Sequence, residues 1–326
     1  MRKVGVIGLG YHLPSRVLTN LDLEKMVDTT DEWIQTRTGI RERRIIESGV
    51  AASDLGAKAS ERALRWAGLT SDKVELIIVA TLSPDMPFPA TACIIQDKIQ
   101  AKRAACFDIS AACAGFVYGL TVAQQFIATG MYQNVLVVAS EVLSPMIDWK
   151  DRSTCVLFGD GAGAAVLAAV DQGGILSTYM GGDGSSAELL CLPAGGSKLP
   201  ASEQTVKQGL HYLKMKGNEI FKLAVRAMAD AAERAIQMAK IQPEQIDCII
   251  PHQANLRIIQ ATVEKLGIPM EKVFINIERY GNMSSASSAI ALCEAVECGR
   301  IKKGSKVLMV AFGSGLAWGA CVMEWT

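Results

Sequence analysis

The sequence of 326 residues lacks most of the features that would place it in a specialised class of protein. Lys plus Arg and Asp plus Glu each total 33, and a net charge of zero argues against a general nucleic-acid binder, which needs a basic surface. No apolar run reaches the roughly 18 residues that a membrane span needs. The apolar run from Val4 to Gly10 is too short for a secretory signal. We therefore expect no nucleic-acid partner, no membrane association and a cytosolic location.

Signs of a metal or of a nucleotide cofactor are also missing. The nine cysteines form no CxxC pair, and the three histidines lie far from any metal-like cysteine spacing. An odd number of cysteines without such pairs is typical of a reducing compartment. The segment GLGYHL at 8–13 has two glycines of a dinucleotide-binding motif but lacks the third, and Pro14 follows where a helix should begin. The sequence thus predicts no metal and no dinucleotide cofactor.

One cysteine lies where a predicted strand turns into a helix. Residues 106–109 predict a buried strand, and small residues from 110 to 115 lead into a helix that continues to about Ala128. The small neighbours leave room for a ligand, and the unpaired N–H groups of the helix start favour a thiolate. Cys113 is therefore a candidate nucleophile. The alternative is that it is simply a small buried apolar residue.

The second half of the chain repeats the first. Residues 59–81 align without a gap on residues 231–253, and FGDG at 158–161 has its counterpart in FGSG at 312–315. Such self-similarity indicates a duplicated unit. Each copy predicts helix, strand, helix and strand, which implies parallel sheets with right-handed crossovers. We expect two stacked α/β halves, 1–172 and 173–326, with the active site where their strand ends meet.

The two copies differ in the residues at their strand ends. Where the first copy has Ala80, the aligned position of the second is His252. The turn after the predicted strand 273–277 carries Asn282, where the corresponding turn of the first half carries Cys113. We therefore expect one nucleophile from the first half and two polar partners from the second. A core histidine and a turn asparagine are the simpler alternatives.

These blocks resemble the β-ketoacyl-acyl carrier protein synthase III family, the initiating condensing enzymes of type II fatty acid synthesis in the thiolase superfamily. The resemblance runs essentially from end to end, through DEWIQTRTGIRERR, FDISAACAGF, MKGNEIFK, PHQANLRI, RYGNMSSAS and AFGSGLAWG. It implies an α/β thiolase-like fold, in which two duplicated halves form a five-layered α-β-α-β-α core. It also implies a homodimer, acyl-CoA and malonyl-acyl carrier protein as substrates, and no cofactor besides the coenzyme A thioester.

The resemblance assigns catalytic roles to three side chains. Cys113 would take a short acyl group from its CoA thioester, and His252 and Asn282 would stabilise the enolate that forms when malonyl thioester loses carbon dioxide. The backbone N–H groups of Cys113 and Ser314 match the oxyanion hole. Ser314 departs from the usual triple glycine of the family, so it would be strained if its position needs a positive φ.

The resemblance also assigns binding residues. The adenine of CoA is expected between Trp33, on a predicted helix over 31–44 that ends in a solvated basic cluster, and Arg152. Phe88 matches the residue that crosses the dimer interface and closes the acyl pocket of the partner. The full set of expected CoA contacts is Thr29, Trp33, Arg37, Arg152, Gly217, Phe221, Ala254 and Asn255, of which the last four match the pantetheine tunnel. A basic spot for the acidic carrier protein would consist of Lys222, Arg226 and Arg257, with ordinary surface charge as the alternative for Arg226.

Three other functions stay open on the sequence alone. A related ketosynthase or acyltransferase of secondary metabolism would use the same fold, but the retained Asn282 and the order of the blocks favour the initiating synthase. A nucleotide-dependent oxidoreductase would need a complete glycine motif. A non-catalytic dimer partner would usually have lost its nucleophile, which Cys113 argues against.

Overall fold

The computed structural model describes residues 2–326. The strands are β1 (Val4–His12), β2 (Arg16–Thr19), β3 (Glu42–Ile45), β4 (Leu76–Ala80), β5 (Ala105–Ile109), β6 (Asn134–Glu141), β7 (Gly161–Ala169), β8 (Gly174–Gly182), β9 (Leu190–Cys191), β10 (Lys214–Met215), β11 (Cys248–Pro251), β12 (Lys306–Gly313) and β13 (Ala317–Glu324). The α-helices are α1 (Asn20–Leu23), α2 (Asp31–Thr38), α3 (Ala52–Ala67), α4 (Thr91–Lys98), α5 (Gly115–Ala128), α6 (Arg152–Cys155), α7 (Glu203–Lys207), α8 (Gly217–Ala239), α9 (Leu256–Lys265), α10 (Ile277–Tyr280) and α11 (Ser285–Glu297).

Two sheets with matching strand orders form the framework. The first has the order β1-β7-β6-β4-β5, and the second has the order β8-β13-β12-β11. Strand β4 is parallel to β5 and β6, and β11 is parallel to β12. The match confirms the predicted duplication. The prediction of purely parallel sheets is wrong, because β7 and β13 run antiparallel to β6 and β12.

The sheets and helices stack in five layers. Alternate residues of β4 face opposite sides of the first sheet, so that Ile78 packs towards the middle of the molecule while Ile77 and Val79 pack outwards. The middle layer consists of α5 and α11, which are apolar on nearly every face because a sheet covers them on both sides. Helices α3 and α4 cover the first sheet, and α8 and α9 cover the second. This arrangement confirms the predicted α-β-α-β-α core.

The division of the chain into halves at residues 172 and 173 stays a prediction. It agrees with the distribution of the strands, because the last strand of the first sheet ends at Ala169 and the first strand of the second sheet begins at Gly174. Within residues 2–326, no helix is both long enough and apolar enough to cross a membrane.

The glycines of the incomplete dinucleotide motif have a packing role. They lie inside β1, which continues to His12. A Cβ atom added to Gly8 would lie 2.4 Å from the carbonyl oxygen of Ala63, and one added to Gly10 would lie 2.3 Å from that of Ala59. Both glycines therefore allow α3 to pack directly on the backbone of β1.

Two predicted elements are wrong. The helix predicted over 31–44 ends at Thr38, because Gly39 takes a φ of +82° and stops it, and residues 42–45 pair with β2 as strand β3. The strand predicted over 273–277 is reduced to a single bridge between Val273 and Ile249, and α10 begins at Ile277. The second sheet therefore has no full counterpart of β5.

Candidate active site

A cavity of about 750 Å³ brings the three predicted catalytic residues together. Cys113 lies in the turn between β5 and α5, His252 follows β11, and Asn282 lies between α10 and α11. Because the carboxyl ends of β5 and β11 open towards the same space, residues far apart in sequence meet there. The sequence-based expectation that one residue of the first half meets two of the second agrees with this geometry.

Cys113 is held in a tight turn at the start of the middle layer. Its side chain is only 5% exposed, and the preceding residue, Ala112, has a φ of +45°, a conformation that costs a non-glycine residue about 1–3 kcal/mol. Burial raises the pKa of the Cys113 thiol to about 12, the Ser284 hydroxyl opposes this by favouring the thiolate, and the nearby Glu141 carboxylate adds to the increase. In the free enzyme, this desolvation opposes the thiolate that the helix start is expected to favour.

The FGSG loop at the end of β12 lies directly against this turn. A Cβ atom added to Gly313 would lie 2.5 Å from the amide nitrogen of Cys113. The next residue, Ser314, does not take a positive φ, so a serine fits there without the backbone strain considered above. Its hydroxyl donates to the carbonyl oxygen of Leu190, which also lines the cavity. Ser314, the second predicted residue of the oxyanion hole, therefore directly follows Gly313, which contacts the turn of Cys113.

His252 is buried and has no hydrogen-bond partner for its ring. Its backbone N–H donates to the carbonyl oxygen of Val310 (2.8 Å), which fixes the residue at the end of β11. Within residues 2–326, neither ring nitrogen of His252 has a hydrogen-bond partner, although both are buried. Burial lowers the pKa of His252 to about 3, so the imidazole is neutral at physiological pH. Its ring nitrogens are therefore available to a ligand in the cavity.

Asn282 is held by the FGDG segment of the other half. Its backbone N–H donates to the carbonyl oxygen of Leu157 (2.8 Å), and its own carbonyl accepts from the N–H of Gly159 (3.0 Å). The side-chain Oδ1 accepts from the N–H of Ser284 (2.8 Å), which leaves the Nδ2 group free to donate. The two repeated loops therefore exchange partners: FGDG of the first half supports Asn282, and FGSG of the second half supports the turn of Cys113.

Sequence reasoning missed a buried carboxyl group behind the nucleophile. Glu141, the last residue of β6, is fully buried and accepts hydrogen bonds from Ser83 Oγ (2.7 Å), Ser285 Oγ (2.7 Å) and the N–H of Leu82 (3.1 Å). Burial raises the pKa of Glu141, and these hydrogen bonds only partly offset the increase. The signal in the sequence was a single acidic residue at the end of the apolar run NVLVVAS.

Gln253, the polar neighbour of His252, has a structural role. Its Oε1 accepts from the backbone N–H groups of Asn276 (3.0 Å) and Ile277 (3.2 Å). Its Nε2 donates to the carbonyl oxygens of Pro251 (2.9 Å) and Phe274 (3.2 Å). Gln253 therefore ties the end of β11 to the segment that leads to Asn282.

Most of the predicted CoA contacts line the same cavity. This group consists of Trp33, Arg37, Gly217, Phe221, Ala254 and Asn255. Arg152 lies outside the lining, where its guanidinium carbon stacks 5.0 Å from the centre of the Trp33 ring and its Nη1 donates to the carbonyl oxygen of Asp28 (2.8 Å). An adenine between the two side chains needs about 7 Å, so Arg152 must move outwards before a base can enter. Thr29 also lies outside the lining, with its hydroxyl buried and without a partner in the described part of the chain.

Two of the predicted docking residues line the cavity, whereas the third and the predicted dimer residue lie outside it. Lys222 and Arg257 are exposed and line the cavity, and the Arg257 guanidinium lies 5.8 Å from the centre of the Phe221 ring. Arg226 is exposed but lies outside the lining, one turn further along α8. Phe88 is 83% exposed and also lies outside the cavity.

The chain as described, residues 2–326, contains no cluster of three or more His, Cys, Asp or Glu side chains that could hold a metal ion.

Comparison with known proteins identifies the family. The family model for 3-oxoacyl-[acyl-carrier-protein (ACP)] synthase III matches residues 107–184, and the model for its C-terminal part matches residues 236–325. A β-ketoacyl-[acyl-carrier-protein] synthase III of Caldanaerobacter subterraneus subsp. tengcongensis is 55% identical over 323 residues, which cover 99% of this chain and 98% of that protein. One of Clostridioides difficile is 53% identical over 324 residues, 99% of each chain. The crystal structure of 3-oxoacyl-[acyl-carrier-protein] synthase III from Aquifex aeolicus VF5 has a TM-score of 0.92 at 49% identity and covers 99% of this chain and 100% of that one. The chain therefore belongs to the β-ketoacyl-[acyl-carrier-protein] synthase III family of acyl-transferring condensing enzymes.

Proposed function

We propose that this condensing enzyme joins a short acyl group from acyl-CoA, most simply acetyl-CoA, to a two-carbon unit from malonyl-acyl carrier protein. The observation that carries the proposal is the meeting of Cys113, His252 and Asn282 in one cavity, with both ring nitrogens of His252 unpartnered within residues 2–326. A nucleophile and two neutral hydrogen-bond donors are the groups that this chemistry requires.

In the first half-reaction, the sulfur of Cys113 attacks the carbonyl carbon of the acyl-CoA thioester. The C–S bond to CoA breaks, the acyl group stays on Cys113, and the proton of the Cys113 thiol ends on the sulfur of CoA. The tetrahedral oxyanion would accept from the backbone N–H groups of Cys113 and Ser314. Because burial raises the pKa of Cys113 to about 12, the thiol must lose its proton as the substrate binds, with the Ser284 hydroxyl and the start of α5 stabilising the thiolate.

In the second half-reaction, malonyl thioester loses carbon dioxide, and the electron pair of the broken C–C bond forms an enolate. His252 donates to the enolate oxygen through an N–H of its neutral ring, and Asn282 donates through Nδ2. The enolate carbon then attacks the acyl group on Cys113, and the released thiolate takes up a proton. Each donor is worth on the order of a hundredfold in rate.

The mouth of the cavity supports the proposed substrates. We assign Trp33, Arg152, Thr29 and Arg37 to the nucleotide end of CoA and Gly217, Phe221, Ala254 and Asn255 to its pantetheine arm. Asn255 is well placed to contact the pantetheine arm, because it caps the start of α9 and donates through Nδ2 to the carbonyl oxygen of Arg37 (3.0 Å), which links the two groups of residues. Lys222 and Arg257 at the rim would meet the acidic carrier protein.

We also propose a homodimer and a cytosolic location. Strand β5 is the edge of the first sheet, its side chains are only partly buried, and an uncovered edge of this kind favours pairing with a second copy. The strongly exposed Phe88 lies in the segment before α4, the helix that packs against β5. All nine cysteines are unpaired, which is usual in a reducing compartment.

Mass spectrometry of single turnovers tests the proposal. Incubation with acetyl-CoA should add one acetyl group, located on Cys113, and malonyl-carrier protein should then remove it as a β-ketoacyl-carrier protein. Cys113→Ser should carry no acyl group. His252→Ala and Asn282→Ala should load the acyl group but fail to decarboxylate malonyl-carrier protein. Equal labelling of wild type and Cys113→Ser would contradict the proposal, as would decarboxylation at the wild-type rate in either of the other variants.

A further inference from the structure

A buried arginine lies behind the segments that hold Asn282. Arg43, on β3, is fully buried. Its guanidinium donates to Asn20 Oδ1 (2.9 Å) and to the carbonyl oxygens of Leu18 (3.2 Å) and Val156 (2.7 Å). Val156 lines the active-site cavity, whereas Arg43 lies behind it and outside the lining. The condensation reaction proposed above has no step that uses this side chain.

The charge of Arg43 has no counter-charge beside it. Within residues 2–326, Arg43 forms no ion pair, and its Nε is buried without a hydrogen-bond partner. Burial of an unpaired cation costs stability, and apolar side chains are often the more stable choice at buried positions. Departures of this kind from the usual rules of packing are expected at functional sites. The cost therefore indicates that Arg43 has a role other than stability.

The side chain of Arg43 packs against two glycines beside Asn282. A Cβ atom added to Gly159 would lie 3.1 Å from the Cβ of Arg43, and one added to Gly281 would lie 3.4 Å from the same atom. Gly281 directly precedes Asn282, and the N–H of Gly159 donates to the carbonyl oxygen of Asn282 (3.0 Å). The position of Arg43 therefore limits where both segments, and Asn282 with them, can lie.

We propose that Arg43 is a positioning residue for the second half-reaction, because it sets the place of the Asn282 amide that donates to the enolate oxygen. This inference rests on the function proposed above. Nη2 of Arg43 holds the carbonyl of Val156, and the next carbonyl along the chain, that of Leu157, accepts from the N–H of Asn282 (2.8 Å). Nη1 anchors the same guanidinium to β2 and α1. The planar group joins these segments at once because its donors point in fixed directions, which a lysine cannot reproduce.

Separate measurement of the two half-reactions tests the proposal. Arg43→Lys keeps the charge and loses the fork of donors, and Arg43→Met loses both. A displacement of about 1 Å can cost on the order of a hundredfold in rate, so we expect decarboxylation of malonyl-carrier protein to fall by about tenfold in Arg43→Lys and by about a hundredfold in Arg43→Met. This rate is expressed per acetylated Cys113, so that unfolded molecules are not counted. Loading from acetyl-CoA should stay within about threefold of the wild type, because the FGSG loop supports the turn of Cys113 instead.

The matched control is an exposed arginine on the neighbouring strand. Arg16 is on β2, where it pairs with Ile45 of β3, and Arg16→Met should change neither half-reaction.

A double-mutant comparison separates positioning of Asn282 from general support of the fold. Residual decarboxylation in Asn282→Ala, followed as labelled carbon dioxide, should fall by no more than about twofold when Arg43→Lys is added, because the amide that Arg43 positions is already absent. In His252→Ala the full loss should remain. Wild-type decarboxylation in Arg43→Lys, an equal loss in both half-reactions, or a full additional loss in Asn282→Ala would overturn the proposal, whether or not Arg43→Met folds. A wild-type protein that neither loads nor decarboxylates would instead contradict the function proposed above.

Discussion

Gly313 lies so close to Cys113 that a Cβ atom at position 313 would be 2.5 Å from the amide nitrogen of the nucleophile. The substitution Gly313→Ala must therefore displace the turn that carries Cys113. Because an oxyanion hole depends on the position of its N–H groups to within a few tenths of an ångström, we expect the rate of acyl transfer to Cys113 to fall by about a hundredfold or more. Single-turnover loading from acetyl-CoA measures this rate.

A glycine with open space around it is the matched control. A Cβ atom at Gly196 would have no neighbour within 4 Å, so Gly196→Ala should load at close to the wild-type rate. Loading of Gly313→Ala at the wild-type rate would show that the contact between the FGSG loop and the nucleophile turn does not matter for catalysis.

The thiol of free Cys113 should react with iodoacetamide only slowly at neutral pH. Burial raises its pKa to about 12, and only the thiolate is alkylated. The rate of Cys113 alkylation should rise by about tenfold per pH unit and keep rising past the ordinary thiol pKa of about 8.5. A short cysteine peptide with blocked termini in the same solutions should level off there. Alkylation of Cys113 is followed on tryptic peptide 104–150 after further cleavage behind Phe107, which separates Cys113 from Cys106. A plateau for Cys113 below about pH 9 would mean that the helix start outweighs burial after all.

His252 should make the stability of the enzyme depend on pH in mildly acidic solution. The pKa of His252 is lowered to about 3 in the folded protein, against about 6.5 in the unfolded chain. Between these values only the unfolded chain binds the proton, so stability is complete above about pH 6.5 and is lost as the pH falls, by up to about 1.4 kcal/mol per pH unit. We expect the free energy of unfolding of His252→Gln to approach or exceed that of the wild type between about pH 6 and pH 4.5. Parallel curves for the two proteins in urea would contradict the assignment.

The positions of Cys113 and His252 could be predicted from the sequence because each follows the carboxyl end of a predicted strand, and the alignment of 59–81 on 231–253 showed that the second of these strand ends had become polar. Asn282 was expected after a strand over 273–277 that the structure reduces to a single bridge, so its place in the cavity rested on the family resemblance. The antiparallel direction of β7 and β13 could not be predicted in this way. A buried strand has the same apolar pattern whichever direction it runs and whichever position it takes in the sheet.

Long-range polar contacts are the main feature that the sequence could not reveal. Arg43 belongs to the cluster that was predicted to be a solvated helix end, yet it is fully buried and donates to Asn20 Oδ1 (2.9 Å) and to the carbonyl oxygens of Leu18 (3.2 Å) and Val156 (2.7 Å). Burial lowers its pKa to about 10. Its partners lie 23 to 113 residues away, so local spacing carries no sign of them.

Ser314 should tolerate replacement by the glycine that is usual in its family. Its backbone is unstrained and its N–H group survives the change, so we expect Ser314→Gly and Ser314→Ala to load acetyl groups within about threefold of the wild type. The lost hydrogen bond to the carbonyl oxygen of Leu190 should lower the free energy of unfolding by about 1 kcal/mol. A hundredfold loss of loading in Ser314→Gly would mean that the hydroxyl itself takes part in the reaction.

The last prediction separates carrier-protein docking from ordinary surface charge. The protein has no net charge, so attraction to an acidic carrier protein must come from a local cluster. Lys222 and Arg257 are exposed at the rim of the cavity, and neither forms an ion pair within residues 2–326. Lys222→Glu should weaken the use of malonyl-carrier protein several-fold while leaving acetyl-CoA loading almost unchanged. Arg257→Glu should affect both steps, because its guanidinium also stacks on Phe221.

Ionic strength provides the deciding measurement. At about 1 M salt the Debye length is only about 3 Å, so a defect caused by lost steering should shrink as salt is added, whereas a defect caused by altered packing should persist. Lys303→Glu, an exposed charge beside a different cavity, is the matched control and should leave both half-reactions unchanged. Arg226→Glu tests how far the docking surface extends along α8, since Arg226 lies outside the cavity lining. If Lys222→Glu slows the CoA and carrier-protein steps equally, or neither of them, the docking assignment is wrong and these charges are ordinary surface.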